Sequence, residues 1–176
     1  MTVDCNNIPS GPPDLQYTNG ETGNCGISGT VPGVQTGSAG PCGGVIQYTW
    51  TFTDQCGRTI QHFQTITVTP TPIAQFLNPP PAFEVIECEQ IPASAPPLQY
   101  SNGQSGACEI SGTVAPVQTG SAGLCGGVIT YTWTFTDQCG RIIQHVRTLQ
   151  VNPAPEGDFQ NPPGNLVVDC NNLPGS

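Results

Sequence analysis

The chain has 176 residues, among them 22 glycines, 19 prolines, nine cysteines and only three cationic residues, all arginine, for a net charge of −9. So few cations exclude phosphate-driven binding of nucleic acid and attraction to anionic membrane surfaces. The absence of lysine also excludes Lys–Asn isopeptide cross-links, and no apolar run is long enough to enter and cross a bilayer.

Taken in chain order, the pattern is that of short strands. Residues 2–4 read as a first strand and lead into Cys5. Residues 15–17 and 27–34 read as strands on either side of TNGETGN, a Gly/Asn turn. In 45–53, Ile46, Tyr48, Trp50 and Phe52 alternate with Gln47, Thr49, Thr51 and Thr53. A period of two in β-branched and aromatic residues marks a half-buried strand, with Tyr48, Trp50 and Phe52 in the core. DQCGR then predicts a turn, and Ile60, Ile66 and Val68 carry the alternation through a second strand to TPTP. A Pro-rich junction over 69–83 follows, of a composition that favours extended, semi-rigid chain. Phe76 in it is expected to pack against a neighbouring domain.

From there the series repeats. Cys5, Cys25, Cys42 and Cys56 return as Cys88, Cys108, Cys125 and Cys139, each displaced by 83 positions (88 − 5 = 83). Residues 83–87 repeat the first strand, and CGGVITYTWTFTDQCGRIIQH at 125–145 differs from 42–62 at two positions. Tyr131, Trp133 and Phe135 thereby become the second core set. A second Pro-rich junction, 152–166, carries Phe159 at the place of Phe76, and a third copy begins with a strand at 166–169 and Cys170. The expected division is 1–71 for a first repeat, truncated at its start, 72–154 for a second, and 155–176 for the start of a third. Each repeat is expected to be an all-β, immunoglobulin-like β-sandwich, since short strands at this spacing argue for two packed sheets.

Cysteines at fixed spacing, without close CxxC or HxxxH pairs, point to disulfides in an oxidising compartment rather than to zinc. Cys42 and Cys56 flank one strand of more than ten residues, so they lie tens of ångströms apart at about 3.3 Å per residue, beyond the Cα separation of roughly 7 Å that a bridge tolerates. Strands alternating up and down would place the first and third cysteines at one end and the second and fourth at the other. The expected bridges are therefore Cys5–Cys42, Cys25–Cys56, Cys88–Cys125 and Cys108–Cys139. A long crossover between sheets would instead favour first-to-fourth and second-to-third pairs. Cys170 is left unpaired, its partner expected in a following repeat.

The C-x-x-I-P start, the Gly/Asn-rich loop with its cysteine, and YTWTFTDQCGR at 48–58 and 131–141 resemble the four-cysteine HYR-like repeats. The resemblance covers essentially the whole chain, with Arg58 and Arg141 where Asn is commoner. It implies immunoglobulin-like modules of long, secreted surface adhesins of Bacteroidetes-type bacteria, without implying a ligand. On this reading the chain is a structural segment of a secreted cell-surface adhesin or fibre, a stiff stapled stalk whose partners are neighbouring repeats. The alternatives are a module that binds a glycan or cell surface by avidity, and a subunit of a multi-chain filament formed by self-association through strand edges.

No nucleophile–base pair, carboxylate pair or cofactor loop is visible, and the chain reads as no enzyme. His62 and His145, one per copy and in strand parity with Ile60 and Ile143, read as structural. Asp54 with Arg58, and Asp137 with Arg141, read as turn pairs, an Asx turn or an ion pair across the loop. No cofactor and no metal are expected; calcium held near a junction by Asp54, Glu84 or Glu87 is the minor alternative. The Thr rows (Thr49, Thr51, Thr53 with Thr65, Thr67, Thr69) read as a soluble outer face rather than a ligand platform. Tyr17 and Tyr100 read as packing residues rather than glycan stackers.

Overall fold

The computed structural model describes residues 1–165 with Val167 and Val168; the strand expected at 166–169 and Cys170 therefore lie outside the described residues. The first sandwich opens with β1 (Thr2–Val3), β2 (Leu15–Thr18) and β3 (Ser28–Val31), then β4 (Val34–Gly40), β5 (Gly43–Thr53) and β6 (Thr59–Val68). Next come β7 (Gln75–Phe76), β8 (Phe83–Ile86), β9 (Leu98–Ser101), β10 (Ser111–Val114), β11 (Val117–Gly123), β12 (Gly126–Thr136) and β13 (Ile142–Val151). Among the described residues no helix is long and apolar enough to cross a membrane.

Each domain is an immunoglobulin-like sandwich whose larger sheet has four strands, β1-β6-β5-β4 in the first and β8-β13-β12-β11 in the second. The two long strands form the antiparallel hairpin that the alternation predicts, in register from Gly44 opposite Val68 to Thr53 opposite Thr59. β1 adds to β6 in parallel, as β8 adds to β13. The smaller sheet is β2-β3 in the first domain and β10-β9-β7 in the second.

The strand expected over 27–34 is two. β3 stops at Val31 and the chain crosses to the larger sheet as β4 from Val34; the second copy breaks at the same place, between Val114 and Val117, with Ala115 where the first has Pro32. The core also stops short of where the alternation would carry it. Ile46, Tyr48 and Trp50 are buried, as are Ile129, Tyr131 and Trp133. Phe52 and Phe135 are only half-buried and stand at the rim beside the hairpin turn, covered by one ring each: Tyr17 stacks on Phe52 and Tyr100 on Phe135 at 3.8 Å. Each tryptophan donates from Nε1 to a loop carbonyl, Trp50 to Pro13 at 2.8 Å and Trp133 to Pro96 at 3.1 Å. The indole thus fills the core while its polar edge is satisfied, which a buried tryptophan requires.

One difference separates the copies. β7 comes from the junction segment and pairs with β9, Phe76 opposite Tyr100, so the second domain's smaller sheet gains a third strand. Phe76 packs against that core and meets the His145 ring edge-on at 6.5 Å. In the first domain β2 has no such neighbour among the described residues, and Leu15 is 38% exposed where its equivalent Leu98 is 7% exposed.

The stacked tyrosines need space that only glycine leaves. A Cβ at Gly112 would lie 2.6 Å from Tyr100 Oη and 2.9 Å from Cζ, and Gly29 stands likewise to Tyr17. The G112A variant is expected to push the ring off Phe135 and to lose about 1–3 kcal/mol, read by chemical denaturation. An unchanged midpoint would show that the ring is not held there.

Candidate functional site

The residues expected to bridge within each copy instead meet between copies. The structure bonds Cys5 to Cys108 and Cys42 to Cys139, with Cα atoms 5.3 Å apart in each pair. Cys25, Cys56, Cys88 and Cys125 are free. This overturns the expected pairs Cys5–Cys42, Cys25–Cys56, Cys88–Cys125 and Cys108–Cys139. The reason is lateral distance. Cys5 follows the edge strand β1, whereas Cys42 lies in the β4–β5 turn, with β6 between. At about 4.8 Å per strand spacing the two are roughly 10 Å or more apart, outside disulfide reach. Cys25 ends the 3-10 turn between β2 and β3 of the smaller sheet, and Cys56 lies in the β5–β6 turn of the larger; sheets so packed stand about 10 Å apart face to face. Across the junction, by contrast, each cysteine of one end faces a cysteine of the next domain.

The junction is built from three stretches of the first domain and three of the second. From the first come Cys5–Asn6 beyond β1, the hairpin turn at Cys42, and the segment 69–74 beyond β6. From the second come Asn102 beyond β9, the 3-10 turn Gly106–Cys108, and the hairpin turn that holds Cys139. Asn6 binds both ways, donating from Nδ2 to Ser105 O at 3.1 Å and accepting from Cys108 N at 3.3 Å. Thr71, buried, donates from Oγ1 to Cys108 O at 2.9 Å and accepts from Asn102 Nδ2 at 2.8 Å. Its amide donates to Pro41 O at 2.9 Å, which ties the junction segment back to the Cys42 turn. Cys5 and Cys108 are both buried in the first domain's core cluster.

The two turn pairs have one internal geometry. Asp54 Oδ1 accepts from Cys56 N and Arg58 N at 2.9 Å, and Arg58 Nε donates to Asp54 Oδ2 at 2.7 Å. Asp137 and Arg141 repeat these contacts at the same distances. Arg141 does one thing more: its Nη1 donates to Thr71 O, 2.6 Å away across the junction. Its side chain is 23% exposed, against 70% for Arg58, which has no such neighbour among the described residues. The Asp54 carboxyl is held below its ordinary 3.8 chiefly by the Arg58 amide, with the guanidinium assisting. For Asp137, burial pushes upward, but the hydrogen bonds from Arg141 and Cys139 outweigh it and the pKa is again lowered.

The other candidate residues are dispersed. His62 lies 5.6 Å from Trp50 and His145 5.7 Å from Trp133, ring centroid to centroid. Glu84 pairs with Arg147 at 2.5 Å, and Glu87 accepts from Asn152 Nδ2 at 3.0 Å. The three carboxylates weighed for calcium thus have separate partners, and among the described residues no group of three metal-ligating side chains converges. Thr53 and Thr59 share a hydroxyl contact at 2.8 Å, and Gln61 donates to Thr51 at 3.2 Å. The junction residues that sequence reasoning missed are Asn6, Thr71 and Asn102. Asn102 has a counterpart in Asn19, but Thr71 becomes Ala154 in the next copy, so the repeat itself gave Thr71 no signal.

Two outcomes follow from this geometry. Because the folded state holds the Asp137 carboxyl below 3.8, the unfolded chain takes up its proton first. The turn's contribution is full above that value and is lost as pH falls through the lower folded-state pKa. Thermal melts between pH 2 and 6 are expected to fall steeply at the acid end, and D137N to be less stable near neutrality with a flatter acid limb. Equal slopes would remove the turn from the pH response. Cys42 is exposed whereas Cys5 and Cys108 are buried, and thiol–disulfide exchange needs access. Mild reductant followed by alkylation and mass spectrometry is expected to label Cys42 and Cys139 before Cys5 and Cys108; the opposite order would contradict the burial.

A family model described as a HYR-like domain with 4 cysteines matches the chain twice, over residues 2–68 and 76–151. A search of curated proteins returned no match. The disulfides and the repeated module together suggest an extracellular repeat of adhesion type. The chain belongs to the family of HYR-like domains with four cysteines.

Proposed function

We propose that the chain is a structural segment of a secreted cell-surface adhesin or fibre, of the kind borne by Bacteroidetes-type bacteria, and that it acts as a stiff disulfide-stapled stalk. The observation that carries this reading is the double bridge between domains, Cys5–Cys108 with Cys42–Cys139. One covalent tie leaves a pivot, whereas two ties at separate points of one face oppose bending and twisting together. The connecting segment adds to this. Pro70 and Pro72 restrict its backbone, Thr71 is anchored on both sides, and β7 is already part of the second domain's sheet. Little free chain is left to act as a hinge. The stalk needs no catalytic group and draws its rigidity from covalent bonds rather than from calcium.

Small-angle scattering of the oxidised chain and of C108S/C139S tests the reading. The oxidised protein is expected to fit a single interdomain arrangement, and the variant a broad distribution. An equally broad distribution in both would overturn the stalk. Saturable binding of the oxidised chain on a glycan array would replace the spacer role with an adhesive one.

A further inference from the structure

The junction between the two domains uses four of the eight cysteines between Cys5 and Cys139, and the other four stand at the ends of the two domains that face away from it. Cys5 and Cys42 occupy, in the first domain, the positions that Cys88 and Cys125 occupy in the second. Cys108 and Cys139 likewise correspond to Cys25 and Cys56. The far end of the first domain therefore presents the pair that receives a neighbour, and the far end of the second the pair that reaches for one. We propose that these ends are complementary, and that a second copy of this chain docks head to tail on the first, forming Cys88–Cys25 and Cys125–Cys56 bridges between copies. The proposal extends the stalk reading, on which it rests for the role of the assembly, to a self-assembling filament.

The receiving end is already shaped for it. Asn19 donates to Cys25 O at 2.8 Å and accepts from Ile27 N at 2.9 Å. Asn102 does the same with Cys108 at 2.8 Å and Ile110 at 3.0 Å where the junction is made. The loop thus holds its docking conformation with no partner present. Cys25 and Cys56 line one cleft, and Arg58 is free to reach a carbonyl as Arg141 reaches Thr71 O. Beside them, a groove along β2 is lined by Leu15, Tyr17, Trp50, Phe52 and His62. Its counterpart in the second domain is the place that β7 and Phe76 cover.

The reaching end carries the matching parts. Ala154 N donates to Leu124 O at 2.8 Å, as Thr71 N donates to Pro41 O, so the tail leaves the second domain along the same path. Phe159, the counterpart of Phe76, is 86% exposed. By the observed register, Phe159 comes opposite Tyr17 of the next copy and Asp158 opposite Thr18, as Phe76 and Gln75 come opposite Tyr100 and Ser101. A strand added to an open sheet edge satisfies backbone groups that the edge leaves exposed, while two bridges fix its position.

Bridge formation needs an oxidant, and a small-molecule disulfide such as oxidised glutathione supplies it. A Cys56 thiolate attacks the glutathione disulfide and releases one glutathione thiolate. Cys125 of the other copy, as thiolate, then attacks the mixed disulfide at the Cys56 sulfur and releases the second. The two protein thiols lose two electrons and two protons, and one glutathione disulfide becomes two glutathione thiols. Cys25 and Cys88 react in the same way.

The test starts from the full chain carrying C170S, with both internal bridges formed, incubated at high concentration in a glutathione redox buffer. Non-reducing gels are expected to show a ladder of multimers, and peptic digestion with mass spectrometry to yield Cys25–Cys88 and Cys56–Cys125 peptides. Adding C88S/C125S leaves only a receiving end, and adding C25S/C56S leaves only a reaching end. Each variant alone is expected to stay monomeric, and an equimolar mixture to stop at dimers, so each serves as the folding control for the other. F159A in the reaching partner is expected to slow dimer formation several-fold. Multimers from either variant alone, bridges of like with like, or no dimer in the mixture would overturn the proposal. A rigid two-domain particle that fails to multimerise would sink the filament while leaving the stalk standing.

Discussion

A disulfide forms only where two Cα atoms come within about 7 Å, and that limit organises the molecule. Both bridges among the described residues, with Cα atoms 5.3 Å apart, take one member from each domain. Each sandwich brings its cysteines to its ends but holds those of one end apart, by strand spacings within a sheet or by the gap between sheets. The covalent framework is consequently completed by an adjoining domain. The rest of the junction serves the same registration. Asn6 binds Ser105 O and Cys108 N, while Thr71 and Asn102 pair with each other and both with Cys108 O, so these three side chains keep partners where docking covers them, a condition for burying them cheaply.

The junction reaches into the hydrophobic interior as well. Cys108, a residue of the second domain, belongs to the first domain's core cluster. β7, drawn from the connecting segment, closes the second domain's smaller sheet and places Phe76 against its core. Leu98 and Trp133 are thereby sealed more fully than Leu15 and Trp50. Two nearly identical sequences thus differ in burial because only one of them has its sheet edge covered. Packing at this level belongs to the neighbour relationship as much as to the repeat.

Much of this was legible in the residues. The alternation around Trp50 and Trp133 specifies the central hairpin and its buried face, because a period of two matches the pleat and nothing else. The Asp–Arg turns, with Asp54 and Asp137 four residues before an arginine, are local and can be read from spacing. Phe52 was harder: the alternation continues through it, but at this rim position one ring, that of Tyr17, stacks over it and leaves it half-buried. The disulfide pairing was not legible, for a reason built into repetition. When a motif recurs unchanged after 83 residues, a bond to a given cysteine and a bond to its equivalent one period later are the same pattern. The long strand between Cys42 and Cys56 rules out a third-to-fourth bridge within a copy. It is silent about Cys42 and Cys139, which make that bridge between copies.

The two bridges also overlap along the chain, one spanning residues 5 to 108 and the other 42 to 139. Cleavage of any single peptide bond between Cys5 and Cys139 is therefore spanned by at least one of them, and cleavage anywhere in the Pro-rich connector by both. A protease that nicks this molecule once leaves its two domains joined, with the load carried around the cut through sulfur. In this respect the molecule is closer to a ladder than to a string, and severing it takes breaks on more than one rail.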